Sequence, residues 1–583
     1  MTASLLPNVK ALAMVGVASL AICACQSGAN GTQGTSLASD QTLKFPLLHD
    51  FGSLDPGTSD MESDQEIEQN MFDGLVKFDN NYNIIPDLAI IVPEPADKGL
   101  TYTFQLRHNV TFSNGDPFMS RDVLYSWNRA AAMQGSYAMN LGAIAGYQKV
   151  SQNTTRGAAL EALLEKNDPS VILTGLTAPD DYTVNVKLSS AAGWFLPAIA
   201  LAGATGSIVD RNAVKTDFDN WWSKPETAAG TGPYKMSARV PNQSVDFLAI
   251  DDWWGSPKPT VKHVHLDIFS DASSAIARYE QGAYDIYGYG GFSNAPVADV
   301  VRIQGTASEK DQLLIHAKVS TTWVSFNLVS DAKRKAKGPF SLDQGQSAHD
   351  LRLAFALAVD KKKLAASVCS NIACTAATGG LFPKGITGYM GDDVDPLARY
   401  DPVKAKQLIQ NDDPTGAKTQ GLAYVYDATN PLNEPTARFL QSQWQDNLGV
   451  HVDLQAVSHT QFITSRLSGA YVLSRDGWRA DYNYPQDWFD FLWGHVGAGC
   501  PDFTCASGYD TKAYNDLLVK ADAETGDQAL SDYKRLTQML IDDVVYIPLY
   551  YLNGTYLFKP YVRGAGTNNF FDYRWNEIQI LSH

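Results

Sequence analysis

Residues 101–129 read TYTFQLRHNVTFSNGDPFMSRDVLYSWNR, and this stretch decides the fold. Tyr102, Phe104 and Leu106 alternate with Thr101, Thr103, Gln105 and Arg107, the period-two pattern of a half-buried strand. Asn114-Gly115 supplies a turn whose backbone favours positive φ. Ser120 is placed to cap a helix, and Val123, Leu124, Trp127, Ala130 and Ala131 follow at helical spacing. The local reading is strand, turn, helix.

Outward from it, strand and helix signals alternate along the chain, which argues for an α/β architecture. Helices are predicted over 273–281, closed by Gly282, over 351–364 and over 438–448, the last followed by a strand over 451–454. The run 544–551, VVYIPLYY, reads as a buried strand whose Pro548 marks an edge or a crossing. No internal repeat stands out.

The wording of 101–129 resembles the signature of the family 5 solute-binding proteins of ABC importers, the oligopeptide- and dipeptide-binding group. Further fragments occur in the family's order. Upstream are Leu54-Asp55-Pro56, Met71-Phe72-Asp73-Gly74-Leu75-Val76 and Ile85-Pro86-Asp87-Leu88-Ala89. Downstream are Gly230-Thr231-Gly232-Pro233-Tyr234, Gln281-Gly282-Ala283-Tyr284-Asp285-Ile286 and Ser325-Phe326-Asn327. Leu351-Arg352-Leu353-Ala354-Phe355, Val359-Asp360-Lys361, Tyr400-Asp401-Pro402 and Gly477-Trp478-Arg479-Ala480-Asp481-Tyr482 complete the set. The resemblance implies a two-lobed periplasmic-binding-protein-like fold with an extra inserted domain and a ligand cleft between the lobes. It places the first lobe at 41–78, 210–318 and 547–583, the extra domain at 79–209, and the second lobe at 319–546. Crossings near 319 and 546 would form the hinge.

Composition fits that picture. The chain has 583 residues, is 44% hydrophobic and carries 19% charged residues, so it can build several cores. Its net charge of −17 disfavours nucleic-acid binding, which needs a basic surface. The first 25 residues hold one charged side chain, Lys10, and an apolar run over 11–22 too short for a permanent membrane span. Ala24-Cys25 after that run looks like a bacterial lipobox, with an ordinary secretory signal as the alternative. A lipid on Cys25 would tie the protein to the outer face of the cell membrane through a Gly/Ser-rich tether over 26–40.

The remaining cysteines form two C-x₄-C pairs, Cys369 with Cys374 and Cys500 with Cys505. In an exported protein these read as local disulfides. Zinc is the rival, with only His495 nearby in sequence. His263-x-His265 is read as structural. No metal or cofactor is expected.

The resemblance points to Asp481 as the centre of ligand binding. In peptide-binding members the aspartate of a W-x-A-D motif pairs with the peptide α-ammonium, a charge-assisted contact inside a closed cleft. A helix cap or surface ion pair is the alternative. Gly477, Trp478 and Arg479 would lie beside the ligand, with backbone available to pair like an added strand. Trp478 would be a cleft wall or core, and Arg475 a partner for the ligand carboxylate or a structural ion pair. Tyr482 would shape a side-chain pocket. From the first lobe Met61, Glu62 and Ser63 should face the cleft. Tyr137 is a cleft tyrosine or a core one, and Trp323 and Asn327 lie near the expected hinge. The implied partners are short peptides, a permease and its ATPase subunits, with the protein itself a monomer. No G-x-S-x-G, H-E-x-x-H or P-loop motif supports an enzyme. Rival readings are another solute on the same fold, such as an oligosaccharide, metal chelate or opine, or a peptide-sensing lipoprotein.

Overall fold

A computed structural model of the chain describes residues 36–59, 61–201, 204–269, 271–288, 295–329, 338–493, 507–564 and 574–583. The expected leader, Cys25 and most of the tether lie outside these residues. Where the expected tether enters them it is already fastened: Ala38 N–H donates to the Ile580 carbonyl at 2.8 Å, and Ser36 accepts from Ser582 N–H at 2.9 Å.

The stretch 101–129 folds as its pattern dictates, with one change. Strand Thr101–Gln105 pairs antiparallel with Thr183–Lys187, which pairs in turn with Leu176–Asp180. Tyr102, Phe104 and Leu106 are buried, while Thr103 and Gln105 are exposed. Gly115 has φ +96° and its N–H closes the turn on the Phe112 carbonyl at 2.8 Å. The helix runs Ser120–Met133, and Ser120 is its first residue rather than its cap. Its start is closed from inside: the Asp122 carboxylate accepts the Met119 N–H at 2.8 Å. Ser120 donates its hydroxyl to the Asp180 carbonyl at 2.7 Å, which ties the helix to the small sheet. Arg129, near the far end, forms a buried fork on Asp55, with Nη1–Oδ1 2.9 Å and Nη2–Oδ2 2.5 Å. Trp221 Nε1 donates to the same carboxylate at 3.1 Å. Two separated sequence fragments thus meet in one ion pair, with geometry that satisfies both charges.

Two main cores make two lobes. The first draws on residues between 43 and 286 and between 562 and 580, with Tyr482 joining it and Leu201 and Ala204 going to the second, and includes the four-stranded sheet ordered Thr42–Leu47, His263–Ile268, Ser244–Ala249, Tyr234–Val240. The second gathers residues 319–550 around a seven-stranded sheet. That sheet runs Ile286–Tyr287, Tyr546–Phe558, Leu313–Phe326, Leu473–Arg479, Leu422–Asp427, Val452–Val457, with Cys374–Ala376 added on Tyr546–Phe558. Leu313–Phe326 and Tyr546–Phe558 pair antiparallel from Leu313↔Leu557 to Ser325↔Tyr546, and the register slips between Ala317 and Thr321. A second slip lies between Thr322 and Trp323, where Pro548 faces Trp323. A proline, which has no N–H to give to a ladder, suits such an irregularity.

The predicted helix over 351–364 is two helices, Gly345–Leu357 and Lys361–Cys369. Asp360 starts the second by accepting the Lys363 N–H at 2.9 Å. The helix predicted over 438–448 begins earlier and spans Asn433–Leu448. Helix Ala272–Glu280 is capped by Asp271, with Gly282 at φ +83° beyond its end.

Of the two expected disulfides, the first is present: Cys369 and Cys374 are joined, with Cα–Cα 5.4 Å. The second, between Cys500 and Cys505, lies outside the described residues, as does His495 beside it in sequence. Among the described residues Cys369 and Cys374 are therefore the bridged pair.

Candidate functional site

Strand Leu473–Arg479 builds the site because its residues alternate faces. Arg475, Gly477 and Arg479 share one face, and Ser474, Asp476 and Trp478 share the other. One edge of the strand pairs with Leu313–Phe326 along its whole length, from Phe326↔Leu473 to Ser320↔Arg479. On the other edge, strand Leu422–Asp427 pairs only with Leu473 and Ser474. After Arg479 the buried Ala480 donates its N–H to the Val319 carbonyl at 2.8 Å, and the chain turns.

Asp481 sits in that turn. Its N–H donates to Asp487 Oδ2 at 3.1 Å, and Trp478 Nε1 donates to the same oxygen at 3.3 Å. Asp487 stands in the first turn of helix Gln486–Leu492 and so fixes where Asp481 points. Across the interface, Tyr137 offers its hydroxyl to Asp481 Oδ1 at a long 3.4 Å. Oδ2 is buried and has no hydrogen-bond partner among the described residues. Burial pushes the Asp481 carboxyl up to about 7, and the charge of Glu62 adds to the rise, against the pull of Arg479 and Tyr137. Burial also drives Asp487 well up, with Asp481 adding to it. The Tyr137 phenol is raised by burial and by the Asp481 charge.

Helix Glu62–Met71 of the first lobe faces this group. Glu62 Oε1 lies 2.8 Å from Arg479 Nη1 and 3.4 Å from Lys318 Nζ. Burial opposes ionisation of Glu62, yet Arg479 and Lys318 hold it below its usual range. The lobes also touch at residues 193 and 194: Gly193 N–H donates to the Glu524 carbonyl at 3.1 Å and Trp194 Nε1 to the Asp522 carbonyl at 3.2 Å. Asp481, Tyr137, Glu62 and Arg479 therefore form one interlobe cluster. Within it, a buried carboxylate oxygen lacks a donor among the described residues, beside the Glu62–Arg479 ion pair.

Comparison with known proteins decides what kind of protein holds such a cluster. Residues 83–499 match the family described as bacterial extracellular solute-binding proteins, family 5 middle. The chain belongs to this family. Family members among its relatives include the periplasmic murein peptide-binding protein MppA of Escherichia coli, 25% identical and covering 94% of this chain and 95% of the relative. The periplasmic oligopeptide-binding protein OppA of Salmonella typhimurium is 24% identical over 95% of each. Among solved structures, E. coli MppA superposes with a TM-score of 0.73 at 23% identity, over 94% of this chain and 100% of that one. Haemophilus influenzae OppA in complex with RPPGFSPFR gives 0.69 at 20% identity, over 94% and 100%. The fold is thus the two-lobed one of these binding proteins, and the family is one of solute binders, not enzymes. Among the described residues no helix is long and apolar enough to cross a membrane.

Against that family background, the expected contacts divide. Asp481, Tyr137, Glu62 and Arg479 come together, but Arg479 is taken up by Glu62 instead of standing free for a ligand. Met61 is exposed at the helix start, and Ser63 donates to the Asp64 carboxylate beside it at 3.1 Å. Arg475 folds over Gly477, where an added Cβ would come within 3.1 Å of its Nη2. Gly477 therefore makes room for an arginine of its own strand. The Arg475 Nε is buried with no partner among the described residues. Trp478 is on the opposite face, half-buried against the second core. Tyr482 is buried in packing, and its hydroxyl donates to the Gln486 side chain. Asn327 lies at the far end of its strand from Ser320, and its amide donates to the Tyr471 carbonyl at 2.9 Å and the Gly469 carbonyl at 3.3 Å. It is a structural residue. Trp323 is fully buried in the second core.

Sequence reasoning missed Lys318, Asp487 and Gln65. Gln65 lies close enough to Tyr137 to oppose the rise of its phenol, and its Nε2 is buried without a hydrogen-bond partner among the described residues. Asp487 was legible only as the start of a helix six residues after Asp481. Lys318 and Gln65 left no signal, since nothing local marks either.

Proposed function

We propose that this protein captures short peptides between its lobes by their free α-ammonium group and delivers them to an ABC permease driven by its ATPase subunits. The observation that carries the reading is Asp481: a buried interlobe carboxylate with one oxygen lacking a donor among the described residues. An ammonium supplies three N–H donors and a full charge, so it completes this site as no neutral group does. The strand edge beyond Ser474 offers main-chain groups for pairing without reading side chains. The lobes would be 41–78 with 210–318 and 547–583, and 319–546, with 79–209 inserted and hinges near 319 and 546. Capture then proceeds by closure about those crossings. A lipid on Cys25 would hold a monomeric protein at the outer face of the membrane.

Ligand choice varies among relatives. The E. coli protein YgiS, 25% identical over 94% of this chain, is described as a probable deoxycholate-binding periplasmic protein. An anionic bile acid would leave Asp481 without its cation, so the cluster favours an amine-bearing ligand here. Native mass spectrometry of the purified full chain tests the proposal. Co-purified peptides of mixed sequence support it, and a bound sterol, glycan or metal chelate replaces it.

A further inference from the structure

The solvent face of the four-stranded sheet carries a second polar cluster that solute capture does not use. In strand His263–Ile268, Val264 and Leu266 are fully buried, while His263, His265 and Asp267 point outward and are half-buried. Asp246 lies directly across the ladder from His265. Its Oδ1 is 2.7 Å from His263 Nε2 and 2.7 Å from His265 Nδ1. One ligand atom from each of the three residues lies within 4.8 Å of the others. The second nitrogen of His265, Nε2, is 3.2 Å from Asp267 Oδ1. The other oxygen of Asp267 accepts the Tyr284 hydroxyl at 2.8 Å.

His265 thus has a carboxylate oxygen on each ring nitrogen. A neutral imidazole owns one N–H and one lone pair, so one of these contacts sets lone pair against lone pair. A positive charge at that nitrogen removes the conflict, either a second proton or a metal ion. Three features favour the metal. His263 Nε2 converges on the same Asp246 oxygen, so a single ion would serve two imidazoles and a carboxylate at once. That donor set suits a borderline ion such as Zn²⁺ and not Mg²⁺, which takes oxygen ligands. With Nδ1 on the metal, the remaining His265 N–H points at Asp267, the carboxylate–histidine–metal arrangement that fixes tautomer and ring orientation. The two imidazoles are 35% and 29% exposed, which leaves room for water in an open position. Metal–ligand bonds of about 2.0–2.2 Å require the three donor atoms to spread slightly from hydrogen-bonding distance, and half-exposed side chains on a fixed sheet can do so. Lys44 pairs beside His265 on the neighbouring strand, and Asp40 lies close enough to feel the charges of both Lys44 and His263. Arg278 Nη2 lies 3.8 Å from Asp267 Oδ2, so the rim adds two positive charges and one negative.

We propose that His263 Nε2, His265 Nδ1 and the Asp246 carboxylate form a binding site for one divalent transition-metal ion of the Zn²⁺ class, with Asp267 as the positioning residue for His265. The test is calorimetry of the full chain without a polyhistidine tag, titrated with ZnCl₂ and separately with MgCl₂. One Zn²⁺ per chain and no Mg²⁺ response are expected. H263N/H265N should weaken that binding at least about 100-fold, and D267N about 10- to 100-fold with stoichiometry retained. In the unaltered protein, Zn²⁺ should also protect His263 and His265 from diethyl pyrocarbonate, read by peptide mass mapping. No Zn²⁺ binding, unchanged binding in the double variant, or no protection of these two rings overturns the proposal and leaves a proton-held ion-pair cluster.

Discussion

Replacing Asp481 by asparagine removes the charge and keeps the shape, which makes it the sharpest perturbation of the proposed site. Truncating one partner of a buried, hydrogen-bonded charge pair costs about 2–5 kcal/mol. The lower part of that range applies here. The asparagine carbonyl still accepts one hydrogen bond, and Tyr137 stays in place beside it. A loss of about 2–3 kcal/mol corresponds to roughly 30- to 150-fold weaker binding of a free-amine peptide. The assay is calorimetry at pH 7.5 with one tripeptide and its N-acetyl derivative, against both forms of the protein. Wild type should discriminate strongly against the acetylated peptide, and D481N should lose most of that discrimination. Stability supplies the control for folding. The Asp481 carboxyl is raised from 3.8 to about 7 in the unliganded fold. The folded chain therefore holds a proton that the unfolded chain has released, so stability falls as pH rises through that window. D481N lacks this slope and should be at least as stable as wild type at pH 8 by thermal unfolding. A D481N affinity within twofold of wild type, or an undiminished acetylation penalty, refutes the reasoning.

Four further outcomes are expected. Glu62→Gln breaks the interlobe contact with Arg479 and Lys318, so small-angle scattering should show a larger unliganded radius of gyration, and an unchanged radius argues against this bridge. Because those cations depress Glu62, its contribution is present above its usual range and fades as pH falls through the lowered value, so the same expansion should occur in acid with wild type. Arg129→Met leaves Asp55 buried and unpaired and should cost about 3–5 kcal/mol in urea unfolding, with a change under about 1 kcal/mol counting against the fork as a structural anchor. The double substitution C369A/C374A opens a short loop and should cost about 2 kcal/mol, read by the same unfolding assay in the absence of reductant.

The chain spells out its periodic parts and hides its contacts. The strand and helix of 101–129 are legible because one buried face imposes period two and then period 3.6 on the apolar residues. The break over 358–360 is not, since apolar spacing continues across it and only the Asp360 cap marks the restart. Helix Glu62–Met71 is nearly invisible. Its sequence ESDQEIEQNM offers only Ile67 and Met71 as apolar residues, yet residues 64–71 are buried. Partners distant in sequence make that tolerable: Asp64 accepts Gly52 and Ser53 N–H groups at 3.1 Å, and Asn70 accepts Trp575 N–H at 2.9 Å. At the candidate site, the resemblance points to Asp481, but strand alternation is what sorts its neighbours. Arg475, Gly477 and Arg479 share a face that Trp478 does not, and no motif states that Glu62 will claim Arg479 across the interface.

The interlobe cluster separates two tasks that one acidic patch would confuse. Glu62 has both of its cations within the protein, so lobe contact alone satisfies it and it carries no information about the ligand. Asp481 is left short by the same contact. Closing on nothing buries its carboxylate with one weak donor, at a cost on the order of a few kcal/mol set by its displaced proton affinity. Arg479 cannot relieve it fully, because its guanidinium is already committed to Glu62. In the proposed role a ligand ammonium would remove that cost only in the closed arrangement, where Tyr137 reaches the carboxylate across the interface while Asp487 anchors the Asp481 backbone N–H. Differential stabilisation of one state is what a ligand needs in order to shift a conformational equilibrium. An acetylated or anionic ligand with otherwise identical contacts gains no such difference. In the proposed cycle, Glu62 makes closure possible and Asp481 makes it conditional on a cation.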